Sequence, residues 1–353
     1  MRVGFVGVGR IGAAHAQVVR DHPAVMTVRV ADADGVRARK VADELGVEAA
    51  ATPADAFTDV DAVVIAAATS AHAELMIAAA QAGLPVFCEK PVAADVGGTL
   101  AVLAAVEAAR VPTQIGFQRR FDSGYVAARA AVRDGTLGEV RRVHLITADA
   151  EPPHPSYIPT SGGIFRDCHI HDFDVLRWVT GREVSTVYAT GANRGAEVFA
   201  TSGDVDESAA VLTLDDGTLA TLQGSRYNGA GYDVRMEVAG TAGTYAVGLD
   251  DHAALTSAEP GVTFPNDQPF REFWSRFRPA YEAEIAAFVD VARGLRESPC
   301  TVADALESFY VAEAATLSRQ EGRAVAVEEV RAGMPRPVRV GPTLGAGTDR
   351  SAS

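Results

Sequence analysis

Cysteine and long apolar runs are scarce in this chain of 353 residues. Its three cysteines, Cys88, Cys168 and Cys300, are odd in number and far apart. They do not suggest the disulfide framework of a small secreted domain, and they suit a reducing cytosol. No apolar run approaches the roughly 18 residues of a membrane span, and an apolar strand by Val3 leaves no room for a signal peptide. These features predict a soluble cytoplasmic protein.

Basic residues are also in short supply. Lysine and arginine total 32 against 46 aspartates and glutamates, which gives a formal net charge of −14. No basic block offsets this charge, so nucleic acid and anionic membranes are not expected partners. An apolar content of 48% with 22% charged residues is typical of a globular fold. The length suits about two domains of ordinary size.

The order of apolar segments predicts two different α/β domains. Up to residue 118, short and almost wholly apolar strands alternate with helices, which is typical of a doubly wound parallel sheet. In residues 119–330 the strands are longer and alternate in polarity, which predicts an open, mainly antiparallel sheet. Late helices over 279–296 and 302–321 are expected to brace the structure and to pack back on the first domain. Residues 331–353, rich in small and polar residues, are expected to form a flexible tail.

A glycine pattern follows the first strand. Gly7-x-Gly9-x-x-Gly12 lies between an apolar strand and a helix, the context that a dinucleotide-binding loop requires. Gly7 suits the tight turn, Gly9 the approach of a pyrophosphate, and Gly12 the close packing of helix on strand. The phosphates would meet the free N–H groups at the start of the helix. Arg10 and Ile11 complete the predicted phosphate-binding segment.

An acidic residue stands where such a domain needs one. Asp32 ends the second predicted strand, 20 positions after Gly12. Its carboxylate can accept both ribose hydroxyls of the adenosine half and would repel a 2′-phosphate. The neighbours Ala33 and Asp34 offer no cation for that phosphate. We therefore expect NAD rather than NADP, with some NADP use left open, and the alternative is an ordinary turn aspartate.

A second cluster of reactive side chains spans residues 162–178, which read as a helix introduced by two glycines. On a helix, Asp167 and His171 share one face, so the carboxylate could orient the imidazole as a general base. Asp174 could support the same ring. A metal site is the alternative if the segment is a strand, because His169 and His171 would then share a face. On a helix they lie about 200° apart and cannot share an ion. A helix start with capping aspartates and buried histidines is the third reading.

A lysine follows the apolar strand at 85–88. Glu89-Lys90-Pro91 lies where open α/β sheets bind ligands. A partly buried lysine beside a positive nicotinamide has a lowered pKa and can orient a substrate hydroxyl. A plain surface loop is the alternative for this tripeptide.

Together these residues resemble the glucose-fructose oxidoreductase/inositol dehydrogenase (Gfo/Idh/MocA) family over about residues 1–325. The resemblance rests on Gly7-x-Gly9-x-x-Gly12-x-x-His15, on 82–91 with its Glu-Lys-Pro, on 116–122, and on Gly162-Gly163-x-x-x-Asp167-x-x-x-His171-x-x-Asp174. The segments 119–125 and 171–174 look most like the inositol dehydrogenase branch. The resemblance implies a Rossmann domain, a second α/β domain with an open sheet, and a homodimer or homotetramer formed through that sheet.

The resemblance also implies roles for individual residues. The catalytic trio would be Lys90, Asp167 and His171, with His171 taking the hydroxyl proton, Asp167 holding that ring and Lys90 positioning the oxygen. The other implied residues line the nicotinamide loop and the polyol pocket: Thr69, His72 and Glu89 for the cofactor, and Arg120 and Tyr232 for the substrate. Ser70 follows Thr69 where the family usually has proline.

One departure bears on the substrate. Similar inositol dehydrogenases tend to carry Ala-His-Arg-Asn-Pro where this chain has Ala148-Asp149-Ala150-Glu151-Pro152. This favours a cyclitol or sugar of different stereochemistry from myo-inositol. Asp149 is then expected to contact substrate, either pairing with an amine or bonding ordinary hydroxyls.

The sequence therefore predicts an NAD-dependent dehydrogenase that oxidises a secondary hydroxyl of a cyclic polyol or sugar, with no metal ion. Two alternatives remain. One is a sugar-modifying enzyme that uses tightly bound NAD without net redox, and the other is an NAD-binding regulator without catalysis.

Overall fold

Two sheets organise residues 1–333, the part of the chain that the computed structural model describes. The strands are β1 (Arg2–Val6), β2 (Thr27–Ala31), β3 (Glu48–Ala49), β4 (Ala62–Ile65), β5 (Val86–Glu89), β6 (Thr113–Gly116), β7 (Val140–Ala148), β8 (Val184–Ala192), β9 (Glu207–Leu214), β10 (Leu219–Ser225), β11 (Asp233–Gly240), β12 (Thr244–Val247) and β13 (Val325–Ala326). The helices are α1 (Arg10–Asp21), α2 (Gly35–Leu45), α3 (Thr69–Gln81), α4 (Val96–Ala109), α5 (Ser123–Arg133), α6 (Ile164–Asp167), α7 (Ile170–Thr180), α8 (Glu197–Thr201), α9 (Phe273–Ala292), α10 (Val302–Glu321) and α11 (Val327–Gly333).

The first sheet is the predicted doubly wound parallel sheet. Its strand order is β3-β2-β1-β4-β5-β6, and all of these strands pair in parallel. The residues of β4 are buried throughout, as expected for a strand covered by helices on both faces. The strand order reverses between β1 and β4, and ligands bind beyond the carboxyl ends of strands at such a point. This arrangement confirms the first half of the predicted fold.

The second sheet is mixed and mainly antiparallel, as predicted. Its order is β12-β11-β7-β10-β9-β8-β13, and within residues 1–333 the parallel pair of this sheet is β7 with β10. Burial alternates along β9 and β10, so one face lies on the core and the other is open. Large apolar side chains lie exposed on β8, β9 and β10, among them Tyr188, Val211 and Leu219.

The late helices link the two sheets. The side chain of Gln114 in β6 donates to the carbonyl of Glu284 in α9 (2.9 Å). The backbone N–H of Ile115 donates to the carbonyl of Cys300, just before α10 (2.9 Å). These contacts join α9 and the segment before α10 to β6. Among the described residues, none of the helices has the length and apolar content needed to cross a membrane.

Helix α9 differs from its predicted bounds. It begins at Phe273 rather than at residue 279, and it ends at Ala292 rather than at 296. The early start follows from packing, because Trp274 stacks on Tyr281 with ring centroids 5.1 Å apart and Phe277 is fully buried. Pro279 therefore lies inside the helix instead of opening it.

The predicted flexible tail is only partly covered by the structure. Residues 331–333 complete α11 instead of beginning an irregular segment. Arg331 pairs there with Glu307 of α10 (2.8 Å). The remainder of the predicted tail, 334–353, lies outside the described residues.

Candidate active site

The three glycines after β1 differ in their surroundings. Gly7 has a φ of +94°, and a Cβ on it would lie 2.4 Å from the backbone of Ala67. A Cβ on Gly12 would lie 1.9 Å from the carbonyl oxygen of Gly7, so helix and strand meet there. A Cβ on Gly9 would meet nothing within 4 Å. No side chain in residues 1–333 caps the start of α1 at Gly9, so its first N–H groups and this open space fit a pyrophosphate.

Asp32 is held in a fixed orientation at the end of β2. Its Oδ2 accepts from the N–H of Val8 (2.9 Å), and its Oδ1 accepts from the N–H of Asp34 (2.9 Å). Arg37 lies one turn into α2, and its Nη1 is 3.3 Å from Oδ1 of Asp32. The residues next to Asp32 in sequence are not cationic, but Arg37 of α2 places a positive charge beside the Asp32 carboxylate. The fixed carboxylate fits the ribose hydroxyls of NAD.

His72 lies beside the loop after β5, and its predicted contact with the cofactor stays a prediction. The ring is buried, with Nδ1 2.7 Å from the carbonyl oxygen of Pro91 and Nε2 3.0 Å from that of Ala67. Both nitrogens are therefore engaged with backbone, and the ring braces the loop after β5. Thr69, at the start of α3, stays half-buried at the same end of the sheet. Arg10 lies with its guanidinium 4.8 Å from the ring centre of Phe273.

Lys90 and Asp167 meet between the two sheets. Lys90 Nζ donates to the carbonyl oxygen of Asp167 (2.9 Å) and to its Oδ1 (3.3 Å). The same Oδ1 accepts from the hydroxyl of Tyr157 (2.9 Å), while Oδ2 accepts from Nη2 of Arg226 (2.8 Å). Burial alone would raise the pKa of the Asp167 carboxyl, but the charges of Lys90 and Arg226 and the hydrogen bonds lower it to about 2. Asp167 is therefore a permanent anion at working pH.

Asp167 and His171 do not form the predicted dyad. Helix α6 ends at Asp167 and α7 begins at Ile170, so the single helix expected here is interrupted. Among the described residues, no hydrogen bond joins the Asp167 carboxylate to the His171 ring, because its oxygens are taken by Lys90, Tyr157 and Arg226. The helical spacing that suggested the pair therefore fails at the break.

The His171 ring instead lies against apolar surface beside a cation. It packs edge-on to Phe117 with ring centroids 5.6 Å apart, and its buried Nδ1 has no hydrogen-bond partner within residues 1–333. Burial, together with the nearby charges of Lys90 and Arg119, holds the pKa of His171 well below its ordinary value. The imidazole is therefore neutral at pH 7 and can accept a proton.

Arg120 and Asp174 pair with each other. Two nitrogens of the Arg120 guanidinium donate to the Asp174 carboxylate at 2.8 and 2.7 Å. The third donates to the carbonyl of Pro299 (2.8 Å). Both side chains are buried. Asp174 therefore does not give His171 the expected support, and the substrate contact of Arg120 stays a prediction. A buried bidentate pair of this kind fixes the packing of α7 on the loop after β6.

His169 faces the core, away from His171. Its Nδ1 lies 2.8 Å from Oδ2 of Asp172, and its Nε2 lies 2.8 Å from the hydroxyl of Ser208. A Cβ on Gly224 would lie 2.2 Å from this ring, so the site is closely packed. Because both nitrogens are used, His169 and His171 do not converge on one ion, and this alternative for the segment is wrong.

The parallel pairing of β7 with β10 places Asp149 beside Arg226. Ala148 and Ser225 are register partners at the carboxyl ends of these strands, so the following residues are adjacent. Arg226 Nη1 donates to Oδ2 of Asp149 (3.0 Å). Burial raises the pKa of Asp149 in spite of Arg226. Tyr232, predicted to line the pocket, is half-buried near the same groups.

Arg226 and Tyr157 were not found by sequence reasoning. Arg226 is the link between the two carboxylates, and Tyr157 lies in the loop between β7 and α6. The sequence offers one indication for Arg226, which is its place at the end of a predicted strand. Its position beside Asp149 depends on the parallel pairing of β7 with β10, which the alternating pattern does not reveal. Tyr157 lies in an irregular segment that carries no periodicity.

Comparison with known proteins identifies the family to which this chain belongs. Residues 1–117 match the oxidoreductase family model with an NAD-binding Rossmann fold, and residues 125–246 match the GFO/IDH/MocA C-terminal domain. The chain belongs to the GFO/IDH/MocA family. It is therefore an oxidoreductase whose cofactor is NAD, held by a Rossmann domain.

Relatives of known name cover nearly the whole chain. A myo-inositol dehydrogenase, Hyg17, of Streptomyces leeuwenhoekii is 38% identical over 91% of this chain and 98% of its own. An inositol 2-dehydrogenase of Rhizobium meliloti is 36% identical over 93% and 99%. The crystal structure of Lactobacillus casei scyllo-inositol dehydrogenase with NAD(H) and scyllo-inositol superposes with a TM-score of 0.84, at 28% identity over 93% of this chain and 99% of that one. The resemblance found in the sequence is thereby confirmed.

Proposed function

We propose that this oxidoreductase oxidises a secondary hydroxyl of an inositol-like cyclic polyol, or reduces the matching ketone, with His171 as the base. The observation that carries the proposal is a neutral imidazole without a hydrogen-bond partner on its buried Nδ1, beside the Lys90 ammonium. A dehydrogenase needs both an acceptor for the hydroxyl proton and a donor that holds the oxygen. The names of the relatives favour an inositol.

The residues divide the work according to their surroundings. Bound NAD supplies the hydride acceptor, so the C–H bond of the alcohol breaks with both electrons leaving carbon. His171 takes the O–H proton, and Lys90 donates a hydrogen bond to the same oxygen. Asp167 cannot serve as the base, because its carboxyl is already ionised and its pKa is about 2. Its part is to hold the Lys90 ammonium in place through two oxygen atoms.

The residues present fit NAD at both ends of the glycine loop. Gly7, Gly9 and Gly12 would hold the pyrophosphate, and Asp32 the adenosine ribose. Thr69, at the start of α3, and Glu89, at the end of β5, would face the nicotinamide half. Reaction without net redox, or NAD binding without catalysis, remain the competing functions. NAD binding without catalysis needs no neutral imidazole beside a partly buried lysine, and this favours an enzyme. A reaction without net redox would use the same base, and nucleotide held tightly through purification would favour it over net oxidation.

A substrate panel tests the proposal. The protein with NAD and a series of inositols, aldoses and amino-cyclitols is expected to form NADH with one subset of them. Lys90→Ala and His171→Asn are expected to lower kcat/KM by about 10²-fold or more, since each removes an acid–base or orienting group. Lys40→Ala, an exposed lysine on α2, serves as the control. NAD binding with no NADH formed from any substrate would count against the proposal.

The pH profile separates His171 from other bases. A base works only when it has lost its proton, so kcat/KM falls as pH drops through the pKa of the base. Because that pKa is held well below 6.5, activity is expected to persist below pH 6.5 in the wild type. An acid limb centred at the ordinary histidine pKa would show that His171 is not buried as described.

A further inference from the structure

Two acids and one arginine lie at the end of β2, where the adenosine half of NAD binds. Asp32 follows the strand, Asp34 is the N-cap of α2, and Arg37 lies in the first turn of that helix. Arg37 Nη1 lies 3.3 Å from Oδ1 and 3.5 Å from Oδ2 of Asp32. Its Nη2 lies 3.5 Å from Oδ2 of Asp34. One guanidinium therefore faces both carboxylates.

The backbone fixes the two carboxylates but not the guanidinium. Asp32 accepts from the N–H groups of Val8 and Asp34, and its side chain is only 8% exposed. Asp34 Oδ1 accepts from the N–H groups of Val36 (3.0 Å) and Arg37 (3.2 Å). The Arg37 side chain is 49% exposed, and its contacts are longer than the roughly 2.7–2.9 Å of a strong charge-assisted bond. The guanidinium can therefore turn toward another anion while the carboxylates stay in place.

The anion that distinguishes the two nicotinamide dinucleotides binds at this point. NADP differs from NAD by a phosphate on the 2′ oxygen of the adenosine ribose, and a carboxylate such as Asp32 repels that phosphate. A guanidinium compensates, because its planar fork donates two parallel hydrogen bonds to a phosphate. The residue after Asp32 is Ala33, so the strand end itself supplies no cation. Helix α2 supplies one from Arg37.

We propose that Arg37 determines how strongly this site discriminates between NAD and NADP. With NAD, the guanidinium stays beside Asp32 and Asp34 and offsets their charge. With NADP, it turns from Asp32 to the 2′-phosphate and offsets the repulsion, so NADP binds as a second, weaker cofactor. NAD remains preferred, because two carboxylates face a single guanidinium. No part of this inference depends on the polyol substrate.

Binding of the reduced cofactors tests the proposal without any turnover. The Kd values of NADH and NADPH are measured from the fluorescence of the reduced nicotinamide, and wild type is expected to bind both, NADH more tightly. Arg37→Ala is expected to weaken NADPH binding by about tenfold or more, the usual worth of a hydrogen bond between charged groups. NADH binding is expected to change by less than about threefold, because the exposed ion pair that is lost contributes little.

A double-mutant cycle separates contact with the phosphate from a general effect of charge. Asp32→Asn keeps an oxygen for the N–H of Val8 but removes the repulsion and releases Arg37, so it is expected to tighten NADPH binding by about tenfold or more. In the Arg37→Ala background, the same substitution is expected to gain at least about threefold less, because no guanidinium is left to release. Equal gains in the two backgrounds would overturn the proposed contact.

Lys40→Ala is the matched control. It removes the same charge from the same helix, but Lys40 is 73% exposed and pairs with Glu44 (3.8 Å). Both Kd values are expected to stay close to those of wild type. An equal loss of NADPH affinity in Lys40→Ala and Arg37→Ala would show that net charge matters and the position of Arg37 does not. NADPH affinity that Arg37→Ala leaves unchanged would also overturn the proposal, as would a wild type that binds NADH but no NADPH.

Discussion

At the scale of single residues, the site is organised around the charge of Asp167. Its carboxylate accepts hydrogen bonds from two cations, Lys90 and Arg226. Arg226 also donates a hydrogen bond to the carboxylate of Asp149. Two positive and two negative groups are therefore paired in a largely buried space. This balance leaves Asp149 partly neutralised before any substrate arrives, which weakens the idea that it waits for an amine.

Arg226 is expected to be indispensable to this balance. Arg226→Ala leaves the Asp149 carboxylate without its cationic partner and Asp167 with Lys90 as its remaining cation. Breaking a buried ion pair typically costs about 3–5 kcal/mol. We expect a large drop in the midpoint of urea unfolding, together with a loss of activity. Arg141→Ala is the control, since that arginine pairs with Glu139 and both side chains are exposed. Unchanged stability in Arg226→Ala would show that the network is not formed in solution.

Asp149→Asn tests whether Asp149 pairs with a substrate amine or is neutralised by Arg226. If Arg226 neutralises Asp149, the substitution should alter kcat/KM on neutral and amino-cyclitols by the same factor, measured as NADH formation. A selective loss of about tenfold or more on amino substrates would restore the amine reading, since a charge-assisted bond is then lost.

Sequence reasoning located part of this site. Lys90 and Asp167 were expected to lie together, and the structure brings them within hydrogen-bond distance. The orientation of Asp167 was missed, because a four-residue spacing predicts contact only along an unbroken helix. The partner of Arg120 was missed for a related reason. A charged residue next to a predicted site is assigned to the substrate unless its buried partner, here Asp174, is known.

At the scale of elements, the bounds set by hydrophobic periodicity were the most predictable. The helix α10 has the predicted limits, 302–321, because it has a long regular pattern. The two-residue strand β3 and the helix α5 were not predicted. A strand of two residues is too short to show an alternation of polarity. Helix α5 overlaps the 119–125 family motif, and its helical periodicity was not used in the prediction.

Helix α9 gives a prediction at this scale. Pro279 is exposed and lies seven residues into the helix, so its ring removes a hydrogen bond and fixes no packing. Pro279→Ala is expected to raise the free energy of unfolding by about 1–3 kcal/mol. Calorimetry or urea unfolding measures the change, with exposed Ser275→Ala as the control. A destabilised Pro279→Ala would mean that the proline makes a contact in solution that this chain alone does not provide.

At the scale of the whole molecule, the open face of the second sheet predicts self-association. Tyr188 and Val211 are register partners on neighbouring strands, each 47% exposed, and Leu219 is 52% exposed nearby. Contiguous apolar surface of this kind is typical of an interface. The sequence predicted a homodimer or homotetramer through this sheet, and that remains a prediction.

Sedimentation measures the prediction directly. Wild type is expected to sediment as a dimer or tetramer, and Val211→Glu with Tyr188→Glu is expected to shift it toward a smaller species. Replacing Val36, an exposed apolar residue on α2 outside this sheet, with glutamate should leave the mass unchanged. A monomeric wild type would remove the basis for the interface.

The contacts of Asp167 also have a consequence for how the enzyme matures. The side chains that meet its carboxylate are 77, 10 and 59 residues away along the chain, and they come from both halves of the molecule. A nascent or partly unfolded chain could complete the glycine loop and hold nucleotide while lacking any ordered acid–base group. The acid–base groups would become ordered together when the second sheet folds against the first domain. Incompletely folded molecules would therefore be inactive and would not catalyse side reactions.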